Sequence, residues 1–153
     1  MYKEAYEIYF ATLDEIEAHL ANSKFLCGDV FTEADLRLFP TMYRHDPIYH
    51  SRMKLNYKFI SDYPNLWRWL SDVYTFPGVA EASPLDHMKQ GYFGRTGNST
   101  VPLANGDDYL ERLRDRNFGL RQAHGRELAE SASKGASPEE LVALAQKLAQ
   151  ASQ

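Results

Sequence analysis

Leu26-Cys27-Gly28-Asp29-Val30-Phe31-Thr32-Glu33-Ala34-Asp35-Leu36-Arg37-Leu38-Phe39-Pro40 is the stretch around which the rest of the chain is organised. Thr32 is placed to cap a helix. Asp35, three residues on, can return its carboxylate to the Thr32 backbone N–H, so that donors left open by the helix start are satisfied reciprocally. Thr32 and Asp35 are therefore structural residues. Phe31 before the cap and Leu36 in the next turn are spaced as a hydrophobic staple. Ala34, Leu36, Leu38 and Phe39 are apolar on more than one face, which predicts a helix buried in the middle of a bundle. Cys27, between Leu26 and Gly28, is expected to be a small buried hydrophobe rather than a reactive thiol.

Upstream, Tyr2, Tyr6, Tyr9, Leu13, Ile16 and Leu20 recur at spacings of three and four with charged residues between them, which predicts one amphipathic helix from about Tyr2 to Ala21. It opens on an aromatic with no capping residue in front, as expected of a piece whose preceding part is missing. Downstream, Pro40 removes a helical hydrogen bond and predicts a bend over Thr41 to Arg44. His45-Asp46-Pro47 reads as a break, and Ile48 to Asn56 as a short helix and loop at a site edge. Pro64 suits the first position of a helix whose apolar stripe is Leu66, Trp67, Leu70, Val73 and Tyr74. Ser83-Pro84-Leu85-Asp86 has capping-box form and opens a short helix to about Gly91, after which Tyr92-Phe93 leave into a loop up to Gly106.

The last third changes character. Asp107 to Asn117 is highly charged, Gly119 to Ser133 has a weak apolar face, and Ser137-Pro138-Glu139-Glu140 is a further capping box ahead of Leu141, Leu144 and Leu148. So thin a stripe does not sustain a core of its own. This helical tail, residues 105–153, is expected to lie along the bundle of residues 1–104 or along a partner. No stretch alternates as a strand would, and the fold class is all-α.

A chain of 153 residues is one domain by size, and 44% hydrophobic with 13% aromatic residues supplies a core. A net charge of -4 argues against a partner made of nucleic acid. The single cysteine allows no internal disulfide, so a reducing, intracellular compartment is expected. No apolar run approaches the roughly 18 residues of a membrane span, and no membrane insertion is expected. Asn98-Ser99-Thr100 matches a glycosylation acceptor and is taken as an ordinary polar loop. His19, His45, His50, His87 and His124 share no ligand spacing, there is no phosphate loop or nucleophile elbow, and no metal site is expected.

A longer series of residues carries more than any one motif. Thr32 to Thr41, Arg44-His45-Asp46-Pro47-Ile48-Tyr49, Lys54, Asn56, Asp62-Tyr63-Pro64-Asn65-Leu66, Asp72-Val73-Tyr74, Pro77-Gly78-Val79-Ala80, His87-Met88-Lys89 and Tyr92 follow one another in order. Over roughly Tyr2 to Pro102 the chain resembles the C-terminal helical domain of glutathione transferases, and most of all the Xi class, the glutathionyl-hydroquinone reductases. The resemblance implies a glutathione-transferase-type helical bundle, here with an extra helical tail. It also implies a two-domain enzyme in which a thioredoxin-like domain binds glutathione and carries a nucleophilic cysteine, while the helical domain forms the quinol pocket and the dimer contact. Two tyrosines of the helical domain assist that cysteine, and they match Tyr49 and Tyr92. A phenol that donates to a thiolate favours its charged form. The pattern departs from the family where Phe is usual at His45, His at Arg52 and Cys at Leu55.

The thioredoxin-like domain, its cysteine and a proton-donating tyrosine just upstream of Tyr2 are expected to be absent. The chain is accordingly expected to be a non-catalytic structural or interaction subunit, with protein partners in a larger complex or as a homodimer and with no cofactor of its own. The alternative is the helical half of a glutathionyl-hydroquinone reductase, with glutathione bound when the catalytic domain is supplied elsewhere. An aromatic groove around Tyr49, Trp67 and Tyr92 is the expected ligand-binding surface.

Overall fold

The computed structural model describes residues 1–94 and 106–151; most of the loop expected between Tyr92 and Gly106, with Asn98-Ser99-Thr100, lies outside them. Helix α1 (Tyr2–Leu20) has nearly the predicted bounds and buries Phe10, Leu13 and Leu20. Tyr2, expected on the inner stripe, is exposed, and its hydroxyl donates to the Met53 and Lys54 carbonyls at 3.1 and 2.9 Å.

Between α1 and the next helix the chain makes a tight turn. The Phe25 and Gly28 backbones bond to each other at 2.8 and 3.3 Å. Gly28 has φ of 100°, a left-handed value that a side chain would oppose. Cys27 sits at the tip of this turn and is exposed, contrary to expectation, because the bridge on either side turns it away from the core.

Helix α2 (Glu33–Arg44) starts at the predicted capping box. The Asp35 carboxylate accepts the Thr32 N–H at 2.9 Å and the Thr32 hydroxyl at 3.1 Å. It also accepts the Leu26 N–H at 3.0 Å and the Trp69 indole N–H at 2.8 Å. The staple does not form. Phe31 stacks on Phe76 at 4.3 Å and meets Phe25 edge-on at 5.6 Å, which leaves Leu36 46% exposed. With Glu33 and Arg37 also exposed, α2 has a solvent face and is not buried all round.

The expected break at His45-Asp46-Pro47 is instead a π-helical turn, His45–Tyr49, that carries the chain without interruption into α3 (His50–Arg52). Proline has no N–H for the carbonyl four residues back. For Pro47 that carbonyl belongs to Tyr43, and the Tyr109 hydroxyl donates to it at 2.7 Å. A wider turn is one of the adjustments by which helices accommodate such a missing donor.

A short 3-10 turn (Ile60–Asp62) leads to α4 (Pro64–Tyr74), which buries Leu66, Trp67, Trp69, Leu70, Val73 and Tyr74. Pro64 takes the first position and α4 has no side-chain cap of its own. Glu17 of α1 serves instead: its carboxylate accepts the Asn65 N–H at 3.0 Å and the Leu66 N–H at 2.7 Å. Arg68 of α4 in turn caps the C-terminal end of α1, donating to the Leu20 and Ser23 carbonyls at 3.0 Å each.

Helix α5 (Leu85–Phe93) begins one residue later than the capping-box pattern predicts, with Pro84 at the cap, and runs two residues past Gly91. The Tyr43 hydroxyl donates to the Ser83 carbonyl at 2.9 Å and so ties the start of α5 to α2. In the tail, α6 (Gly106–Leu113) sends Tyr109 and Leu113 into the same core as α1, α2 and α4. Helix α7 (Phe118–Ser133) lies against α4, and α8 (Pro138–Ala151) packs on α7 without burying a residue. The Ser137–Glu140 capping box is formed: Glu140 accepts the Ser137 N–H at 2.7 Å, and Ser137 Oγ accepts the Glu140 N–H at 3.3 Å. The tail thus lies along the bundle, with α6 as part of it.

Candidate functional site

Tyr49 closes the π turn and Tyr92 stands in the last turn of α5. Leu85, Lys89 and Phe93 follow one another at intervals of four and bury one face of α5. Met88 and Tyr92 are half-buried on the flank, and His87 and Gly91 are exposed. This register brings the Tyr92 hydroxyl to 3.2 Å from that of Tyr49, with the rings edge-to-face at 5.7 Å. The sequence pairing of these two tyrosines, residues 43 positions apart, is therefore a contact in space.

Beside them is an open cavity of about 390 Å³ between the end of α2 and α5, lined by Arg44, His87, Met88, Gly91 and Tyr92. Burial pushes the Tyr49 phenol above its ordinary value, its bond with Tyr92 adds to this, and the Arg44 guanidinium opposes it. The Arg44 Nε–H points at the Met88 sulfur at 3.4 Å, and Arg52 donates to the Tyr92 carbonyl at 3.3 Å. Arg44 and His87 belong to the ordered series quoted above, yet nothing in their spacing marks them as cavity residues.

Trp67 is not part of this surface, and its expected place there is corrected. It is 0% exposed, packs on Tyr109 and Phe118, and gives its indole N–H to the Asp115 carbonyl at 3.0 Å. The α4 stripe that makes it apolar is the same stripe that faces the core and the tail. Thr32 and Asp35 remain structural, at the opposite end of α2 from Arg44.

The turn that carries Tyr49 is held from beneath. His45 is fully buried; its Nε2–H donates to the Lys58 carbonyl at 3.0 Å, which leaves Nδ1 to accept the Tyr9 hydroxyl at 2.8 Å. Burial pushes the His45 imidazole down to about 4, against the Lys58 carbonyl, so the ring is neutral. Asp46 accepts the Ile60 N–H at 2.7 Å. Burial pushes its carboxyl up to about 7, countered by the Ile60 and Ser61 N–H groups. Among the described residues no group of three or more acidic, His or Cys side chains could hold a metal ion. No helix there is long and apolar enough to cross a membrane.

Two phenols that share one mutual hydrogen bond keep one O–H free to donate outward. With a guanidinium alongside, the site offers donors to an oxygen or sulfur anion and an apolar flank for a ring.

Comparison with known proteins gives this helical arrangement its class. Residues 2–72, a little under half of the chain, match the model of the glutathione S-transferase C-terminal domain. Among the relatives are two glutathionyl-hydroquinone reductases, and among the similar structures is one of the Xi class. The glutathionyl-hydroquinone reductase PcpF of Sphingobium chlorophenolicum is 46% identical over 93 residues, 61% of this chain and 30% of that protein. The glutathionyl-hydroquinone reductase YqjG of Escherichia coli is 41% identical over 92 residues, 60% of this chain and 28% of that one. The structure is similar to that of glutathione-bound YqjG, with a TM-score of 0.63 and 35% identity over 66% of this chain and 34% of the other. It is also similar to a Xi class transferase from Natrialba magadii, at 0.62 and 32% over 68% and 35%. The chain thus spans about a third of the length of the relatives it matches.

Proposed function

We propose that this chain forms the helical, quinol-binding half of a glutathionyl-hydroquinone-reductase-type site, and that a thioredoxin-like domain supplies the nucleophilic cysteine and the glutathione site. The observation that carries this is the Tyr49–Tyr92 pair, closed to 3.2 Å at the rim of an open cavity. In the reaction the cysteine thiolate attacks the sulfur of a glutathionyl-hydroquinone. An S–S bond forms and the ring C–S bond breaks. The electron pair of that bond goes to the ring carbon, which takes up a proton, so that hydroquinone leaves and a mixed disulfide with glutathione remains. A second glutathione thiolate then releases the cysteine as glutathione disulfide. The reductant is glutathione, which suits a reducing intracellular compartment.

The non-catalytic subunit expected from the sequence is the second reading. Tyr2, Met53, Tyr57 and Phe59 are large exposed hydrophobics, with Tyr2 tied to the Met53 carbonyl and Phe59 stacked on His50 next to Tyr49, and they favour a covered face. The thioredoxin-like domain covers that face in the first reading, and a different protein or a second copy covers it in the second.

Deglutathionylation of a model glutathionyl-hydroquinone separates them. The chain combined with a thioredoxin-like domain from a relative, or with its native cell fraction, is expected to turn over. Tyr49→Phe and Tyr92→Phe are each expected to lower kcat/KM about 10- to 100-fold, the worth of a hydrogen bond to a charged group. Absence of turnover in both combinations removes the reductase reading and leaves the subunit.

A further inference from the structure

Arg44 differs from half of the ten arginines of this protein. Arg37, Arg68, Arg116, Arg121 and Arg126 each pair with a carboxylate. Arg44 is half-buried at the end of α2, and among the described residues no carboxylate pairs with it. Its Nε–H points at the Met88 sulfur, a weak acceptor, and its guanidinium also interacts with the Tyr49 phenol. Among the described residues that line its cavity there is no Asp or Glu, and His87 adds a second group able to donate. A guanidinium removed from water without an anion is costly, whereas a guanidinium fork facing an oxyanion is among the strongest polar contacts available. The rest of the described lining, Met88, Gly91 and the Tyr92 ring, offers an apolar flank. At about 390 Å³ the cavity falls within the range that holds a small ring compound.

We infer that Arg44, with His87, selects the ligand of this cavity, and that the ligand is an aromatic ring bearing an oxyanion, either a phenolate or a carboxylate. The inference rests on the reading of this cavity as the quinol side of the site, and it narrows the substrates to quinols that carry such a charge next to the Tyr49–Tyr92 pair.

The test is binding of small probes to the full chain at neutral pH, followed by NMR of the ring-labelled tyrosines with Tyr49→Phe and Tyr92→Phe used for assignment. One arm compares 2,5-dihydroxybenzoate with its neutral amide. The other compares tetrafluorohydroquinone, an acidic phenol, with hydroquinone. The anionic member of at least one pair is expected to bind about tenfold tighter or more, and the arm that shows the preference identifies the oxyanion. Arg44→Met is expected to bring the two members of that pair to within about twofold. Equal binding of charged and neutral members in the unmodified chain overturns the inference, as does failure of every probe to shift Tyr49 or Tyr92. A preference that survives in Arg44→Met overturns it too. The comparison on the unmodified chain stands whether or not the variant folds. Turnover without anion preference would remove the role of Arg44 and keep the proposed function. Anion preference without turnover would keep Arg44 as a binding group and remove the reductase.

Discussion

Asp35 holds a carboxylate at 0% exposure, yet each of its two oxygens has two donors: Oδ1 accepts from Leu26 and Trp69, and Oδ2 accepts from the N–H and hydroxyl of Thr32. Burial pushes its pKa up, the four hydrogen bonds together outweigh that, and the net direction is down. Between the native and unfolded pKa values the unfolded chain binds more protons, so stability rises with pH there. The contribution is complete above the unfolded value of about 4 and is lost as pH falls below it, through the native value. Asp35→Asn is expected to cost about 3–5 kcal/mol at pH 7, because its NH2 group confronts donors in place of an acceptor. Urea unfolding at pH 7 measures this, and a loss below about 1 kcal/mol sinks the argument. The variant should also lack the acid-sensitive part of the stability. Half of this hub is legible in the sequence. The offset of three between Thr32 and Asp35 is local, whereas Trp69 lies 34 residues away and only packing brings it there. Tyr49 and Tyr92 are legible for another reason, since an ordered family pattern carries long-range pairing that spacing alone does not.

The π turn of His45–Tyr49 shows where local signals mislead at the scale of an element. Two prolines seven residues apart read as a bend and a break, yet α2 runs through Pro40 to Arg44 and the π turn continues through Pro47. A sequence shows the missing N–H of Pro47; it does not show the Tyr109 hydroxyl, 66 residues on from Tyr43, that takes over the freed carbonyl. The consequence for function is that the turn presenting Tyr49 is anchored by the tail. Tyr109→Phe is expected to destabilise the protein by about 1–3 kcal/mol, the cost of leaving a buried carbonyl unpaired. Pro47→Ala restores a backbone donor for that carbonyl. In its background Tyr109→Phe should cost distinctly less, so a double-mutant cycle reports a coupling of about 0.5–3 kcal/mol. Additive losses in chemical denaturation would mean that Tyr109 does not stand in for the missing donor. The buried His45 beneath the same turn, where the family usually has Phe, is bonded on both ring nitrogens, so its polarity is matched without any solvent.

For the whole molecule, the tail is where pattern and packing part company. Its thin apolar stripe correctly implies that it leans on the bundle, but composition gives no sign that Tyr109 and Leu113 belong to the central core. The same packing removes Trp67 from any groove, because α7 lies directly over it. Gly119 makes that approach possible: a Cβ there would fall 2.9 Å from the Trp67 Cβ and 3.3 Å from the Pro64 Cα. Gly125, six residues further along α7, has open space where its Cβ would be. The two glycines therefore give opposite expectations on one helix. Gly119→Ala should force α7 off α4 and cost about 1–3 kcal/mol, as over-packing does. Gly125→Ala should stabilise by about 0.5–1 kcal/mol through helix propensity alone. Thermal unfolding of both variants reads the difference in sign. If both stabilise, α7 is not seated on Trp67.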